Sequence, residues 1–152
     1  MKDGHGGITI GSEISGGAKN IYAINCTLSS PNLDIILRLK TSSSRGGIIE
    51  NVFAKDIKVG TYKNAAVSFN MFYELPGNFM PTIRNVWVEN MNIEKGGEFG
   101  IYSKAYKESP VENFRMVNST IRSVKIPVQV DHIKNSQLIN VVINEKTAVL
   151  PD

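Results

Sequence analysis

Five segments of this chain align with one another without a gap: "KNIYAINCTLS", "ENVFAKDIKVG", "RNVWVENMNIE", "ENFRMVNSTIR" and "KNSQLINVVIN". Each has asparagine at its second position, at Asn20, Asn51, Asn85, Asn113 and Asn135. Five residues later each has Asn25, Asp56, Asn90, Asn118 or Asn140. The starts lie 31, 34, 28 and 22 residues apart, a spacing at which each repeat forms one turn of a stacked architecture.

Inside each repeat the positions one and three after the first asparagine are mostly apolar: Ile21/Ala23, Val52/Ala54, Val86/Val88, Phe114/Met116 and Ser136/Leu138. After the second Asn or Asp the alternation resumes with Cys26/Leu28, Ile57/Val59, Met91/Ile93, Ser119/Ile121 and Val141/Ile143. Alternation of period two, interrupted once, predicts two short strands meeting at a corner. Asn and Asp suit a corner because they tolerate left-handed backbone angles. In successive coils their amides would stack into a hydrogen-bonded ladder. Between the repeats run "DIILRLKT", "AAVSFNMFYE", "FGIYSKAY" and "IPVQVDH", which also read as strands, and no segment shows a capped helical period. The expectation is an all-β, right-handed parallel β-helix forming one domain over residues 1–152. A β-sandwich would account for the alternation but not for asparagines recurring in register.

Composition agrees with a packed domain and narrows its partners. The 152 residues are 41% hydrophobic and 20% charged, values of an ordinary globular chain. No apolar run approaches the roughly 18 residues that cross a bilayer, so no membrane partner is expected. The net charge is +3, and its basic residues are scattered rather than clustered into the footprint that nucleic acid selects. Cys26 stands alone, which excludes an internal disulfide and a cysteine zinc site. No cofactor or metal is called for by any of these features.

Two stretches carry candidate chemistry. "DGHGGITIGSE" sets His5 among Gly4, Gly6 and Gly7, where a ligand could approach the backbone closely, and a histidine so placed can handle a proton. In "DIILRLKT" the alternation turns Leu37 and Leu39 inward and puts Arg38 and Lys40 together on the outer face. Two cations one pleat apart repel unless an anion lies over them.

With these residues in hand, the chain resembles the C-terminal half of the family 28 glycoside hydrolases, the polygalacturonases and their relatives. That family has four ordered motifs: Asn-Thr-Asp, Asp-Asp, Gly-His-Gly and Arg-Ile-Lys. The third is matched by Gly4-His5-Gly6 and the fourth by Arg38-Leu39-Lys40. "IGSEISGG" is similar to the bacterial members in particular. The resemblance implies a parallel β-helix and inverting hydrolysis of α-1,4-linked galacturonate in pectic polysaccharide. Inversion uses one acid to protonate the leaving oxygen and carboxylates to activate water, about 6.5–9.5 Å apart. By the same resemblance His5 would hydrogen-bond into the catalytic group. Arg38 and Lys40 would bind a galacturonate carboxylate, as a fork and a point charge do well. Tyr73 in "NMFYE" would contact substrate, with Phe72 and Tyr102 as competitors for that role.

The first two motifs, which hold the family's catalytic aspartates, have no counterpart here. The aspartates are Asp3, Asp34, Asp56, Asp131 and Asp152, each isolated. The expectation is therefore a fragment that begins just before the third motif, inactive alone, with a binding remnant or a purely structural β-helix as alternatives. An end lacking its preceding coils would expose Ile8, Ile10, Ile21, Ala23, Cys26 and Leu28 and invite homo-oligomers through that coil. Family members act outside the cytoplasm, so the resemblance implies a secreted or periplasmic parent protein. Three smaller features have plain explanations. The column Tyr22, Phe53, Trp87, Arg115 and Gln137 is expected to pack against loops or a partner. The glycosylation-like "NCT" and "NST" coincide with corner asparagines. Asp131 and His132, as neighbours on a strand, would point to opposite faces.

Overall fold

The corner residues set the architecture. All ten (Asn20, Asn25, Asn51, Asp56, Asn85, Asn90, Asn113, Asn118, Asn135 and Asn140) adopt φ between 49° and 58°, where an ordinary L-residue costs about 1–2 kcal/mol. The computed structural model describes residues 3–151. Its strands are β1 (Ile8–Ile10), β2 (Ala18–Leu28), β3 (Ile35–Lys40), β4 (Ile48–Thr61), β5 (Ala65–Asn70) and β6 (Thr82–Lys95). They continue as β7 (Phe99–Lys104), β8 (Val111–Ile121), β9 (Ile126–Gln129), β10 (Ile133–Lys134), β11 (Gln137–Ile143) and β12 (Lys146–Thr147). Among the described residues there is no helix.

The strands alternate between two parallel sheets. One has the order β1-β3-β5-β7-β9 and the other β12-β11-β8-β6-β4-β2, with β10 beside β8. The chain is thus a parallel β-helix, closed at its C-terminal end by the antiparallel pairing of β12 on β11. The gap-free alignment gives the strand register directly: Ile21 faces Val52, Val52 faces Val86, and Val86 faces Phe114. Instead of two short strands at each repeat there is one strand of 11 or 14 residues in β2, β4, β6 and β8, bent at both left-handed residues.

The amide ladders are present. Asn51 donates to Asn20 at 2.9 Å, Asn85 to Asn51 at 3.0 Å, and Asn113 to Asn85 at 2.9 Å. At the second corner Asn90 donates to Asp56 at 2.6 Å and Asn140 to Asn118 at 2.8 Å. The two serines at inward positions also have a use. Ser119 Oγ accepts from Met91 N–H and Ser136 Oγ from Phe114 N–H, both at 3.0 Å, so each satisfies a backbone donor of the preceding coil.

The core lies between the sheets. Leu37, Leu39, Val67, Phe69, Val88, Met91 and Phe114 are fully buried, and Phe69 meets Phe114 edge to face at 5.1 Å. Ile35, Ile36 and Leu37 are consecutive and buried, so burial alternates in β3 only from Leu37 onward, and in β5 the whole run Ala65 to Phe69 is buried.

Three expectations need correction. Ile10 and Leu28 are buried at 7% and 5% exposure rather than solvent-facing, while Ile8, Ile21, Ala23 and Cys26 are half-buried. Gly7 covers Leu28: its N–H bonds the Ile35 carbonyl at 2.8 Å, and a Cβ on it would lie 3.1 Å from the Leu28 methyls. Asp131 and His132 are not on a strand; they form a bend, with His132 at φ 45°. Cys26 keeps its inward position, half-buried against the core, with its thiol 3.8 Å from the Ile24 carbonyl. The aromatic column packs on itself. Tyr22 and Phe53 stack at 5.1 Å with planes 7° apart, and the Arg115 guanidinium covers Trp87 at 4.9 Å.

Candidate functional site

The outer face of the five-stranded sheet collects the residues singled out in sequence. Parallel pairing at matched positions produces rows along the β-helix axis. One row is Thr9, Arg38, Ser68, Tyr102 and Gln129; the next is Lys40, Asn70 and Lys104. Arg38 and Lys40 occupy the same strand two residues apart, as the alternation requires.

Tyr73 joins them from the loop after β5. Its ring centroid lies 4.1 Å from Lys40 Nζ and 5.3 Å from Arg38 Cζ, so both cations interact with this one ring. The competitors are engaged elsewhere: Phe72 packs against Tyr106 at 4.1 Å and Tyr102 against Phe99 at 5.0 Å. His5 reaches the cluster through its main chain. Arg38 Nη1 donates to the His5 carbonyl at 3.0 Å, whereas the exposed imidazole makes no hydrogen bond among the described residues. Gly6 beside it packs closely, since a Cβ there would fall 2.0 Å from Thr9 Oγ1 and in contact with Arg38 Cδ at 3.7 Å.

The two cations differ in what they can offer. Arg38 is 14% exposed and lies 3.7 Å from Asp34 Oδ2. Its fork is partly spent on Asp34 and on the His5 carbonyl. Lys40 has no carboxylate within 4.0 Å among the described residues. The arrangement therefore presents one uncommitted ammonium on an aromatic platform beside a guanidinium held in place. That set of groups suits a carboxylate on an otherwise polar, ring-shaped ligand.

Glu74 fixes the loop that carries Tyr73. Ser12 Oγ donates to Oε1 at 2.6 Å; Arg45 Nε and Ser44 Oγ donate to Oε2 at 2.9 and 3.4 Å. The Ser12 hydroxyl first, then the Arg45 guanidinium, hold the Glu74 carboxyl below the ordinary carboxylate range, and Glu74 raises Arg45 in return. Tyr73 N–H also bonds the Thr41 carbonyl at 3.2 Å, and Phe79 N–H the Ser43 carbonyl at 2.8 Å.

The structure brings together Arg38, Lys40 and Tyr73, which the sequence had grouped, and adds Asp34, Glu74 and Lys104 around them. Lys104 had a signal: "YSK" at 102–104 aligns with "RLK" at 38–40 once the strands between the repeats are superposed. Asp34 stands four residues before its partner Arg38, whereas Glu74 had no signal, because Ser12, Ser44 and Arg45 come from turns of no fixed spacing. The nearby acids are already bound: Asp3 accepts from Ser30 Oγ, and Asp34 pairs with Arg38. Among the described residues no group of three or more His, Cys, Asp or Glu could hold a metal ion.

No protein-family model matches the chain, and no curated protein sequence does. Among solved structures it is similar to a hyperthermoactive exopolygalacturonase from Thermotoga maritima, with 32% identity and a TM-score of 0.81. The match covers 93% of this chain and 31% of that enzyme, so the likeness is to a portion of its β-helix.

Proposed function

We propose that this chain, which resembles a portion of a family 28 glycoside hydrolase, forms the carboxylate-recognising part of a polygalacturonase-type site. The observation that carries the reading is the Lys40 ammonium, without a carboxylate partner among the described residues, 4.1 Å from the Tyr73 ring and beside Arg38. The ligand class is a galacturonate-containing oligosaccharide of pectic origin. Lys40 takes the uronate carboxylate as a point charge, Tyr73 sets the position of the ammonium, and Arg38 adds positive potential from a geometry fixed by Asp34 and the His5 carbonyl.

Hydrolysis with inversion belongs, on this reading, to a protein in which these residues stand beside paired carboxylates. One carboxyl would protonate the leaving oxygen and another would activate water from the opposite face. Asp3 and Asp34 are held by Ser30 and Arg38, which favours a second reading, a binder without cleavage, for the chain as it stands. A pectic polymer is a wall component, so the parent protein would work outside the cytoplasm.

The test is a pair of assays on the purified chain. Trigalacturonate should bind, more weakly as salt rises, and reducing ends released from polygalacturonate should not exceed the buffer control. Hydrolysis by pure protein would overturn the assignment of cleavage to other residues; absence of any binding would overturn the site itself.

A further inference from the structure

The face that carries Lys40 and Tyr73 has a second pair of the same kind. Lys104 Nζ lies 5.2 Å from the Phe72 ring centroid. Phe72 and Tyr73 are adjacent in sequence, so two consecutive rings each carry one ammonium. Asn70 lies between Lys40 and Lys104 in the row. Its Oδ1 accepts the Phe72 N–H at 2.9 Å, and its Nδ2 has no acceptor among the described residues. Tyr106 packs against Phe72 at 4.1 Å and is tied by its hydroxyl to Ser43 Oγ at 3.0 Å. Like Lys40, Lys104 has no carboxylate within 4.0 Å among the described residues. The cationic strip ends one coil later at Asp131, whose N–H bonds the Ser103 carbonyl at 3.3 Å and whose Oδ1 accepts from Ala105 N–H at 2.8 Å.

We propose that Lys104, with Phe72 and Asn70, is a second carboxylate subsite for the same acidic oligosaccharide. It lies two strand spacings, about 10 Å, along the β-helix axis from Lys40. The inference rests on the reading that Lys40 and Tyr73 receive a uronate. Phe72 holds the Lys104 stem in place, the ammonium meets the carboxylate, and the Asn70 amide donates to a ring hydroxyl or carboxylate oxygen. A linked chain that reaches both lysines binds the second intramolecularly, so affinity should grow with chain length.

Titrations of galacturonate monomer and trigalacturonate into the parent chain, Lys40→Met and Lys104→Met test this. Methionine keeps the stem on Phe72 and removes the charge. Lys104→Met should weaken the trimer about three- to fivefold and the monomer distinctly less, with recovery in Lys104→Arg. Lys40→Met should weaken both ligands. Thermal unfolding confirms that each variant folds, and Lys104→Gln replaces the methionine variant if that one does not. Trimer binding unchanged in Lys104→Met overturns the second subsite while an effect of Lys40→Met leaves the first standing. Equal weakening of monomer and trimer by Lys104→Met also overturns it, since that is diffuse charge attraction. No effect of either variant on either ligand overturns both.

Discussion

Asn85 occupies the middle of the longer amide ladder, and its replacement separates the two reasons for an asparagine there. Its φ is 56°; its Nδ2 donates to Asn51 at 3.0 Å and its Oδ1 accepts from Asn113 at 2.9 Å. Asn85→Ala loses both bonds, each worth about 0.5 kcal/mol at an exposed site, and places a Cβ-bearing residue with no local polar compensation in the left-handed region, at about 1–2 kcal/mol. The sum is about 2–3 kcal/mol. Asn85→Gly loses the same bonds without the backbone strain but gains freedom in the unfolded chain, about 0.4–1 kcal/mol, for a total of about 1.5–2 kcal/mol. Asn85→Asp tolerates the backbone and still accepts from Asn113, as Asp56 accepts from Asn90, so it should cost only about 0.5–1 kcal/mol. Urea denaturation of the three variants, with unchanged slope, should rank them Asp, Gly, Ala in rising cost. Equal stability of the Ala and Gly variants would refute the backbone argument. An Asp variant as unstable as the Gly variant would refute any contribution from the ladder.

Three further outcomes follow from the geometry. Glu74 is held below its unfolded value, so its contribution is present above about pH 4.3 and is lost as pH falls through the folded value; amide exchange in residues 71–80 should accelerate there, and Glu74→Gln should abolish that pH dependence. Gly11→Ala should destabilise by more than about 2 kcal/mol in denaturation, because Gly11 has φ 96° and a Cβ there would lie 1.8 Å from the Lys40 carbonyl oxygen. Among the described residues β2 pairs only with β4, and its Tyr22 and Ile24 are 64% and 53% exposed; sedimentation should therefore show self-association that Tyr22→Lys and Ile24→Lys reduce, and a monomer at all concentrations would refute an open edge.

What could be read in the residues alone follows what repeats. The Asn pairs defined corners, strand register and ladders because one physical requirement, a left-handed residue, recurs at each coil and only Asn, Asp and Gly meet it at low cost. Arg38 and Lys40 were legible because alternation fixes the face of a residue between inward neighbours, here Leu37, Leu39 and Thr41. Contacts made by turns were not legible. Gly7 covering Leu28, and Glu74 bonded to Ser12 and Arg45, join loops whose lengths follow no period. The charge row Lys19, Glu50, Arg84, Glu112 and Lys134 alternates in sign across facing strands, with Arg84 bonded to Glu50 at 2.7 Å. The row occupies the position before the first asparagine of each aligned repeat, where a net charge of +3 conceals it. His5 shows the opposite limit: its motif located the segment, but the group that touches Arg38 is its carbonyl, which any residue would supply.

Competition between trigalacturonate and its fully methyl-esterified form for the parent chain tests the central claim most directly, because the two ligands share every sugar ring and differ in the carboxylate charge. The account predicts that the acid form binds, that esterification weakens it at least as much as Lys40→Met does, and that the ester is indifferent to Lys40→Met. Equal binding of acid and ester, or an ester whose affinity falls with Lys40→Met as the acid's does, would contradict recognition of a uronate carboxylate at Lys40.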